Sequence, residues 1–315
     1  MGIAEVIKNP GKTFSKTERE RAMYKMLMGG VLLPRRVSRK SLARELPPVP
    51  KGLELPREEG FLTIGPEKVA QYPSVNLSVQ KVLGRCRKLM ESGHQSVEKS
   101  KSYLREVTSK QDLKKYPEFL ELALHPEILA VATQYLGELP VLAGVKFLHS
   151  VPGETLQGSQ LYHCDHDDVR QMKIFVHVSD VDEASGPLTI INANASQKLR
   201  KKLNYSYGGY DGHVDDDLIR AEAEKAGEKV LTGPPGTMTL IDTSQVFHFG
   251  SRVSTKDRYV MSFQYVTLTS FIYHPLMQLL PFKMVSGHYR TYPYGDLASG
   301  ALSPVQRAVL TGRTG

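Results

Sequence analysis

The sequence predicts an α+β protein in which flanking helices, mostly N-terminal, surround a double-stranded β-helix of the jelly-roll type. Helical patterns dominate the first half, and short β-rich runs separated by Gly, Pro and Asp turns follow Pro140. Such runs are typical of an antiparallel sandwich or barrel. The 315 residues suffice for one large domain with extensions or for two small ones, and a composition with 40% hydrophobic and 23% charged residues excludes disorder, collagen-like repeats or coiled coil for most of the chain.

Few features of the sequence indicate a compartment or a membrane. Cys86 and Cys164 are the only cysteines, too few for a disulfide framework, and the first residues lack the pattern of a secretory signal. The apolar stretch that stops at Arg35 is too short to span a bilayer. We therefore expect a cytoplasmic protein without a transmembrane helix.

The first part of the chain is basic and is predicted to form an arm. Residues 1–60 hold 13 Lys and Arg against 7 Asp and Glu, a net +6 of the +8 on the whole chain. Ser15 and Glu18 have the spacing of a capping box, which predicts a helix over residues 15–28. Several prolines then favour an extended, wrapping segment, so we assign residues 1–55 to the arm.

The jelly-roll domain is predicted to cover residues 56–290, with a C-terminal tail over residues 291–315. An apolar strand comes first, at Phe61–Ile64, and Pro66 opens a helix. Helical patterns continue from residue 79 to 106 and from residue 116 to 136. The residues after the last β-rich run are expected to pack as helices around the barrel.

A polar segment, residues 195–236, interrupts the β-rich part of the chain. Segments of this length inside a compact β domain are more often lids or binding loops than connectors. We expect a lid insertion that contacts substrate. Four of its side chains are candidates for the mouth of a pocket: Tyr205, Tyr207, Tyr210 and His213. Tyrosine-rich loops also occur as plain packing, and that alternative stays open.

One short segment carries most of the chemical information. His163 and Asp165 are two residues apart, so in a strand their side chains share a face and present an imidazole and a carboxylate to one metal ion. His248 is a third candidate in a later β-like run. Two His and one carboxylate that leave coordination positions open are the facial triad of non-haem Fe(II) oxygenases. Arg258 follows in a strand-like run, where a hairpin brings its guanidinium back beside the metal as a fork for a carboxylate.

Each candidate ligand also has a plainer interpretation. His163 and Asp165 fit a surface turn, and His248 fits a core histidine bonded to a backbone carbonyl. His166 and Asp168 form a second frame of the same spacing on the opposite strand face. We prefer the first frame because it directly follows a strand-like run, whereas the second falls within an Asp-rich turn.

These residues resemble the phytanoyl-CoA dioxygenase-like family of oxygenases that depend on Fe(II) and 2-oxoglutarate. The resemblance covers residues 57–270, from REEGFLTIGP through the HxD strand and DVDEASGPLTII to the distal His and Arg. The sequence departs from the family where a GSH-like turn is usual, because Asn192–Ser196 stands there instead.

The resemblance implies a set of ligands and an activity. His163, Asp165 and His248 would ligate Fe(II), and Arg258 would bind the distal carboxylate of 2-oxoglutarate, with O2 as the second co-substrate. The expected reaction is hydroxylation of an unactivated C–H bond, or a related desaturation or ring closure. Gln160 is a further candidate for the co-substrate site.

Three basic residues near the candidate site leave alternatives open. Arg252 is a rival to Arg258, but it falls in a predicted turn. Lys173 and His177 alternate along the strand after the HxD segment. They touch the co-substrate or substrate if this polar face looks inward, and they meet solvent if it is an outer face.

Other functions remain compatible with the sequence. A metal enzyme on the same barrel would need no keto acid, a binding module would use the basic arm on a membrane or nucleic acid, and a sensor of iron or oxygen would look the same. The basic arm and Lys198–Lys202 favour a small anionic or carrier-linked substrate. No firm nucleic-acid or membrane signal is present, and the oligomeric state is not indicated.

Overall fold

Eleven strands among the described residues form the centre of the fold. The computed structural model describes residues 15–94, 101–208, 212–273, 294–297 and 301–314. The strands are β1 (Phe61–Ile64), β2 (Leu104–Glu106), β3 (Val141–Ser150), β4 (Tyr162–His163), β5 (Met172–His177), β6 (Leu188–Ile190), β7 (His213–Val214), β8 (Lys229–Leu231), β9 (Met238–Ile241), β10 (His248–Phe249) and β11 (Arg258–Val266).

The strands pair into two antiparallel sheets that face each other, which confirms the predicted double-stranded β-helix. The larger sheet has the order β1-β9-β5-β11-β3-β2, and the smaller has the order β7-β4-β10-β6-β8. Phe175 of β5 packs with Ile190 of β6 in one apolar cluster between the sheets. The longest pairing joins β11 to β3, from Arg258 opposite Ser150 to the far end of both strands.

Ten helices among the described residues surround the sheets. They are α1 (Glu18–Val31), α2 (Leu33–Ala43), α3 (Pro66–Val69), α4 (Pro73–Glu91), α5 (Lys110–Lys115), α6 (Glu118–Ala123), α7 (Pro126–Leu136), α8 (Ala193–Lys202), α9 (Asp216–Lys225) and α10 (Pro304–Thr311). None of them is long and apolar enough to cross a membrane.

The alternation along β11 separates the core from the space between the sheets. Met261 and Phe263 are fully buried in the main hydrophobic cluster under the helices. Burying a side chain of this size stabilises the fold by about 1.5–3 kcal/mol. Arg258, Ser262 and Gln264 lie on the opposite face, because successive side chains of a strand alternate. One strand therefore supplies both packing and interior polar groups.

The helical patterns predicted in the first half are present but interrupted. Helix α4 buries Val75, Val79, Val82 and Cys86 on one stripe at helical spacing and ends at Glu91. Residues predicted as the end of that helical run form β2 instead. The second run divides into α6 and α7, because a proline starts α7 and cannot continue the helix before it.

The N-terminal arm differs from the prediction in two ways. The capping box lies two residues later than predicted, where the Thr17 hydroxyl accepts from the Glu20 N–H and the Glu20 carboxylate accepts from the Thr17 N–H. The first part of the segment after α1, Leu33–Ala43, is helical rather than extended, whereas residues 47–60 contain neither helix nor strand. Pro34 stands in the first turn of α2, where its missing N–H costs no hydrogen bond.

Arg39 ties the arm to the rest of the fold. Its side chain is 1% exposed, and its guanidinium donates to the carbonyls of Leu139 (2.9 Å), Pro140 (2.8 Å) and Ala308 (2.7 Å). Ala308 belongs to α10, whose apolar side chains join the main core. The regions predicted as arm and tail thus contain helices packed on the barrel. The helical packing expected for residues 274–293 lies outside the described residues.

The predicted lid, residues 195–236, is mostly regular structure. It contains α8, β7, α9 and β8, whose apolar side chains cover the outer face of the smaller sheet. Asn192 caps α8, and the Ser196 hydroxyl accepts from the Phe247 N–H at 2.8 Å. Ser196, in the segment Asn192–Ser196, therefore helps to hold the strand that begins at His248.

Replacing Arg39 by alanine is expected to destabilise the protein by about 3 kcal/mol or more, because three buried carbonyls lose their donor. Urea unfolding followed by circular dichroism measures this loss. Lys40→Ala is the matched control, since Lys40 is exposed on the same helix and surface substitutions change stability by about 0.5 kcal/mol at most. Equal stabilities of the two variants would contradict the role given to Arg39.

Candidate metal centre

His163, Asp165 and His248 converge where the two central strands of the smaller sheet meet. His163 ends β4 and pairs directly with His248, which begins β10, and the ring centroids are 4.2 Å apart. Asp165 lies just beyond the end of β4, where its N–H donates to the Thr243 carbonyl at 2.8 Å. One donor atom of each residue lies within 4.8 Å of the others, and no other group of His, Cys, Asp or Glu among the described residues meets this condition.

Backbone carbonyls fix the tautomer of both imidazoles. His163 Nδ1 donates to the Leu161 carbonyl at 2.9 Å, and His248 Nδ1 donates to the Val246 carbonyl at 3.1 Å. A neutral imidazole that donates from Nδ1 carries its lone pair on Nε2. Burial, together with the nearby His248, lowers the pKa of His163 to about 3, so the ring stays neutral at neutral pH. Both rings are therefore ready to bind a metal through Nε2.

Two polar side chains orient the Asp165 carboxylate. Oδ2 accepts from Lys173 Nζ at 2.5 Å and from Gln171 Nε2 at 3.1 Å, whereas Oδ1 lies 3.7 Å from His163 Nε2. Burial alone would raise the pKa of this carboxyl, but the charge of Lys173 and its hydrogen bond to Oδ2 outweigh burial and keep that pKa far below its usual range. Asp165 is thus a carboxylate with one oxygen turned toward the imidazoles.

A hydrogen-bonded group behind Asp165 was not found from the sequence. Gln171 also donates to Thr243 Oγ1 at 2.9 Å, and its own amide oxygen accepts from Gln264 Nε2 at 2.6 Å. Gln264 donates to Asp167 as well, at 2.7 Å. The sequence does contain a signal for both glutamines, which is the period of two along a strand. Gln264 shares the face of β11 with Arg258, and Gln171 precedes Lys173 by two residues.

The two arginines after His248 have opposite surroundings. Arg252 pairs through two nitrogens with Asp216, at 2.8 and 2.7 Å, and its guanidinium carbon lies 3.4 Å from the ring centre of Phe249. Arg258 is 9% exposed and donates to the hydroxyls of Ser150 and Ser251, at 3.0 and 2.9 Å. The positive charge of Arg252 is therefore neutralised within the protein.

Arg258 has no carboxylate partner among the described residues, and its buried Nε has no hydrogen-bond acceptor there. Burial lowers its pKa to about 10, which leaves the guanidinium charged at neutral pH. An unpaired buried cation is costly. The arrangement suits an anionic ligand that would supply the missing acceptor.

The structure shows whether the polar face of β5, which carries Lys173 and His177, points inward or to solvent. Lys173 contacts Asp165, so this polar face of β5 looks into the space between the sheets. Burial is the main cause that lowers the pKa of His177 to about 4, and the charge of the nearby Arg258 lowers this pKa further. The side chains of Met172 and Ile174 lie in the main core on the other face. The inward alternative is therefore the one observed.

Several other predicted residues lie away from an open pocket. Tyr205 and Tyr207 are 8% and 3% exposed and pack around Cys164 and Phe247, which agrees with the packing alternative for these tyrosines. The Tyr205 hydroxyl accepts from the Cys164 N–H at 2.9 Å, a contact made possible by the fold of a distant segment. Tyr210 lies outside the described residues.

His213 and Gln160 differ in their relation to the centre. His213 pairs with His163 across β7 and β4, with ring centroids 5.3 Å apart, and remains a candidate for contact with a ligand. Gln160 is 1% exposed, accepts from Gln157 and donates to the Ser251 carbonyl. These bonds tie Gln160 to the loop beside Arg258, and its contact with a co-substrate stays a prediction.

The second HxD frame serves another purpose. Asp168 is fully buried, pairs with Lys25 of α1 at 2.5 Å and accepts from the Thr267 N–H at 2.8 Å. Arg21 of α1 donates to the carbonyls of Asp168 and His166. This frame anchors the N-terminal helix against the loop that follows the candidate ligands.

Comparisons with known proteins give structural likenesses only. No protein-family model matches the sequence, and no curated protein matches it significantly. The chain is similar to EctD from S. alaskensis in its apoform, with a TM-score of 0.45 and 16% identity over 67% of this chain and 74% of that one. It is similar to the epimerase SnoN in complex with Fe3+, alpha ketoglutarate and nogalamycin RO, with a TM-score of 0.48 and 16% identity over 73% and 86% of the two chains.

A third likeness is to HygX from Streptomyces hygroscopicus with nickel, 2-oxoglutarate and hygromycin B bound, with a TM-score of 0.43 and 15% identity over 67% of this chain and 84% of that one. Because identity and TM-score are low in all three cases, we base the functional proposal on the residues of this chain.

Replacing Arg258 by methionine is expected to stabilise the ligand-free protein by about 1 kcal/mol, because it removes an unpaired buried charge while Ser150 and Ser251 keep their mutual hydrogen bond at 2.8 Å. Arg252→Met is expected to destabilise it by about 1–3 kcal/mol, because Asp216 loses its bidentate partner. Urea unfolding of both variants measures the difference. Destabilisation by Arg258→Met as large as that by Arg252→Met would show that Arg258 is already neutralised.

Acidification is expected to destabilise the metal-free protein. The pKa values of His163 and His177 fall from 6.5 to about 3 and about 4, mainly through burial, so below pH 6.5 the unfolded chain binds protons that the folded protein does not. Lowering the pH by one unit from 6.5 should then cost about 1 kcal/mol for each imidazole. Urea unfolding at both pH values measures the loss, and His177→Gln should reduce it by one such share. If His177→Gln lost as much stability on acidification as the wild type does, the lowered pKa of His177 would be contradicted.

Proposed function

We propose that the chain is a non-haem Fe(II)- and 2-oxoglutarate-dependent oxygenase of the hydroxylase type, related to the phytanoyl-CoA dioxygenase-like family. One observation carries the proposal. The space between the two sheets holds an open group of two imidazoles and one carboxylate together with a buried arginine that has no carboxylate partner among the described residues. A metal with open positions and an anionic co-substrate would satisfy both.

The donor set fits an open iron centre and does not fit a structural zinc site. His163 and His248 would bind through Nε2, and Asp165 would bind through Oδ1, which leaves positions for further ligands. Structural zinc sites are closed and usually contain thiolates. Cys164 is fully buried against Arg200 and Tyr205, away from the group. When bound, Fe(II) with a 2-oxo acid and O2 supplies the oxidising power for attack on a C–H bond.

Lys173 and Gln171 would keep the carboxylate in a single orientation. Both donate to Oδ2, so Oδ1 is the oxygen left for the metal. The ammonium group of Lys173 also adds positive charge beside the site, which favours the carboxylate of a 2-oxo acid. This is the role we propose for Lys173 in binding the co-substrate.

Arg258 would bind the far carboxylate of 2-oxoglutarate. Its planar guanidinium offers parallel donors that match a carboxylate, and the hydroxyls of Ser150 and Ser251 hold it in place. Because the group is buried, its attraction to a carboxylate is weakly screened. The co-substrate would gain both orientation and affinity from this contact.

We propose a small-molecule substrate and leave its charge open. Half of the basic cluster Lys198–Lys202 is engaged within the protein, since Lys202 pairs with Glu222 and Arg200 with Glu18. Lys198 and Lys201 are exposed and form no ion pair with a described residue. His213, beside His163, is the described residue best placed to touch a substrate. A carrier-linked substrate stays a prediction.

The experiment is an anaerobic titration of the metal-free protein with Fe(II) and then 2-oxoglutarate, followed through the visible charge-transfer band. The band is expected in the wild type and absent in His163→Ala. Arg258→Gln should need about 10–100 times more 2-oxoglutarate, as expected for the loss of a charged bidentate contact.

The matched control is His166→Ala, because His166 is exposed and belongs to the frame that holds α1 rather than to the ligand group. This variant should keep the band. Tight iron binding without a band would favour the keto-acid-independent metal enzyme, and failure to bind iron would refute the oxygenase proposal.

A further inference from the structure

The N-terminal helices expose an apolar face that has no role in the proposed reaction. Among the described residues, eleven large hydrophobic side chains are exposed, and six of them fall between residues 23 and 37. They are Met23 (42%), Met26 (72%), Leu27 (51%), Val31 (45%), Leu33 (55%) and Val37 (61%). Such a concentration on a folded surface marks an interaction site.

This face is free of polar side chains over more than three helical turns. Every exposed residue between positions 22 and 34 is apolar, since Ala22, Gly30 and Pro34 complete the set. Residues 23, 26, 30, 33 and 37 follow each other at steps of three and four, so they form one stripe along α1 and α2. We call residues 22–37 on this side the apolar stripe.

The stripe cannot turn inward, because the opposite side of α1 is anchored. Arg21 donates to backbone carbonyls of the loop after the candidate ligands, and its guanidinium carbon lies 3.9 Å from the ring centre of Tyr207. Lys25 pairs with the buried Asp168. Tyr24 is 2% exposed. These contacts hold the stripe on the outer surface.

Basic residues border the stripe at both ends. Lys16 and Arg19 precede it, Lys40 and Arg44 follow it, and all four are exposed and form no ion pair with a described residue. Of the acidic residues in the same segments, Glu18 pairs with Arg200, Glu20 accepts from the Thr17 N–H, and Glu45 is exposed beside Arg44. Two copies of this chain joined through the stripe would therefore bring mostly basic ends together in either a parallel or an antiparallel arrangement. That repulsion disfavours a dimer and favours an anionic partner.

The lack of polar side chains on the stripe favours lipid over protein as the anionic partner. Interfaces between proteins carry about one hydrogen bond per 100–200 Å², and the stripe offers no side chain that donates or accepts one between positions 22 and 34. Lipid needs no such bonds. An apolar helix face with Lys and Arg at its borders is the pattern of helices that lie in a membrane interface, where basic side chains reach the headgroups.

We propose that the apolar stripe docks the protein on an anionic membrane surface, with α1 and α2 lying in the interface and Lys16, Arg19, Lys40 and Arg44 meeting acidic headgroups. The barrel would then sit on the membrane without spanning it. This docking is independent of the oxygenase proposal and needs neither iron nor 2-oxoglutarate.

The test uses the full chain and vesicles of phosphatidylcholine, with or without phosphatidylserine. Cosedimentation with the anionic vesicles is expected, together with weaker binding to the neutral ones and a decrease at high salt. Met26→Glu with Leu27→Glu should lower the partition coefficient at least about tenfold, because two apolar side chains no longer enter the interface. Leu77→Glu is the matched control, since Leu77 is 60% exposed on α4, and it should bind as the wild type does.

A tryptophan reporter locates the contact. The chain contains no Trp, so Met26→Trp introduces a single reporter on the stripe and Leu77→Trp introduces one elsewhere. Fluorescence of the first should shift to the blue on adding anionic vesicles, and that of the second should not. Equal behaviour of the two reporters would overturn the proposal, and so would a wild type that binds no vesicles or that dimerises through the stripe in light scattering.

Discussion

The ion pair between Asp165 and Lys173 is the contact on which the centre of this structure depends. Asp165 follows a strand of the smaller sheet, and Lys173 belongs to a strand of the larger one, so the pair joins the two sheets across their interior. It also offsets burial, which raises the pKa of Asp165, because the Lys173 charge is the largest contribution that lowers this pKa. The same contact therefore fixes the spacing of the sheets locally and preserves the charge that a metal requires.

Two charged groups in the space between the sheets differ in whether a partner of opposite charge lies beside them. Asp165 is matched by Lys173, whereas Arg258 has no matching carboxylate among the described residues and rests on two hydroxyls. Arg252, six residues earlier in the chain, is matched by Asp216 on the outer side of the smaller sheet. A purely structural arginine would resemble Arg252, because a protein gains stability by pairing a buried charge. The contrast between these two arginines supports our proposal that Arg258 binds an anionic ligand.

The sequence was sufficient where a feature depends on local spacing. The period of two places His163 and Asp165 together, and the change of texture after Pro140 marks the start of the barrel. It was insufficient where the outcome depends on distant partners. Tyr205 lies in a polar segment, yet it is buried because the fold brings Cys164 and Phe247 to it. The number of prolines does not predict the helix that contains Pro34, because a proline in the first turn of a helix costs no hydrogen bond.

The two proposals rest on opposite departures from the rules of folding. Globular proteins pair their buried charges and cover their large apolar surfaces, because both omissions cost free energy. Among the described residues, the buried cation Arg258 has no carboxylate partner inside, and the apolar stripe at residues 22–37 is exposed outside. Neither follows from a poor fit nearby, since Arg258 is held by hydroxyls and α1 is anchored by Arg21 and Lys25. Places where a well-packed fold maintains an unfavourable arrangement are where a ligand is expected to remove the cost. The positive charge of Arg258 favours an anion as its ligand, and the lack of polar groups on the apolar stripe favours lipid as its partner.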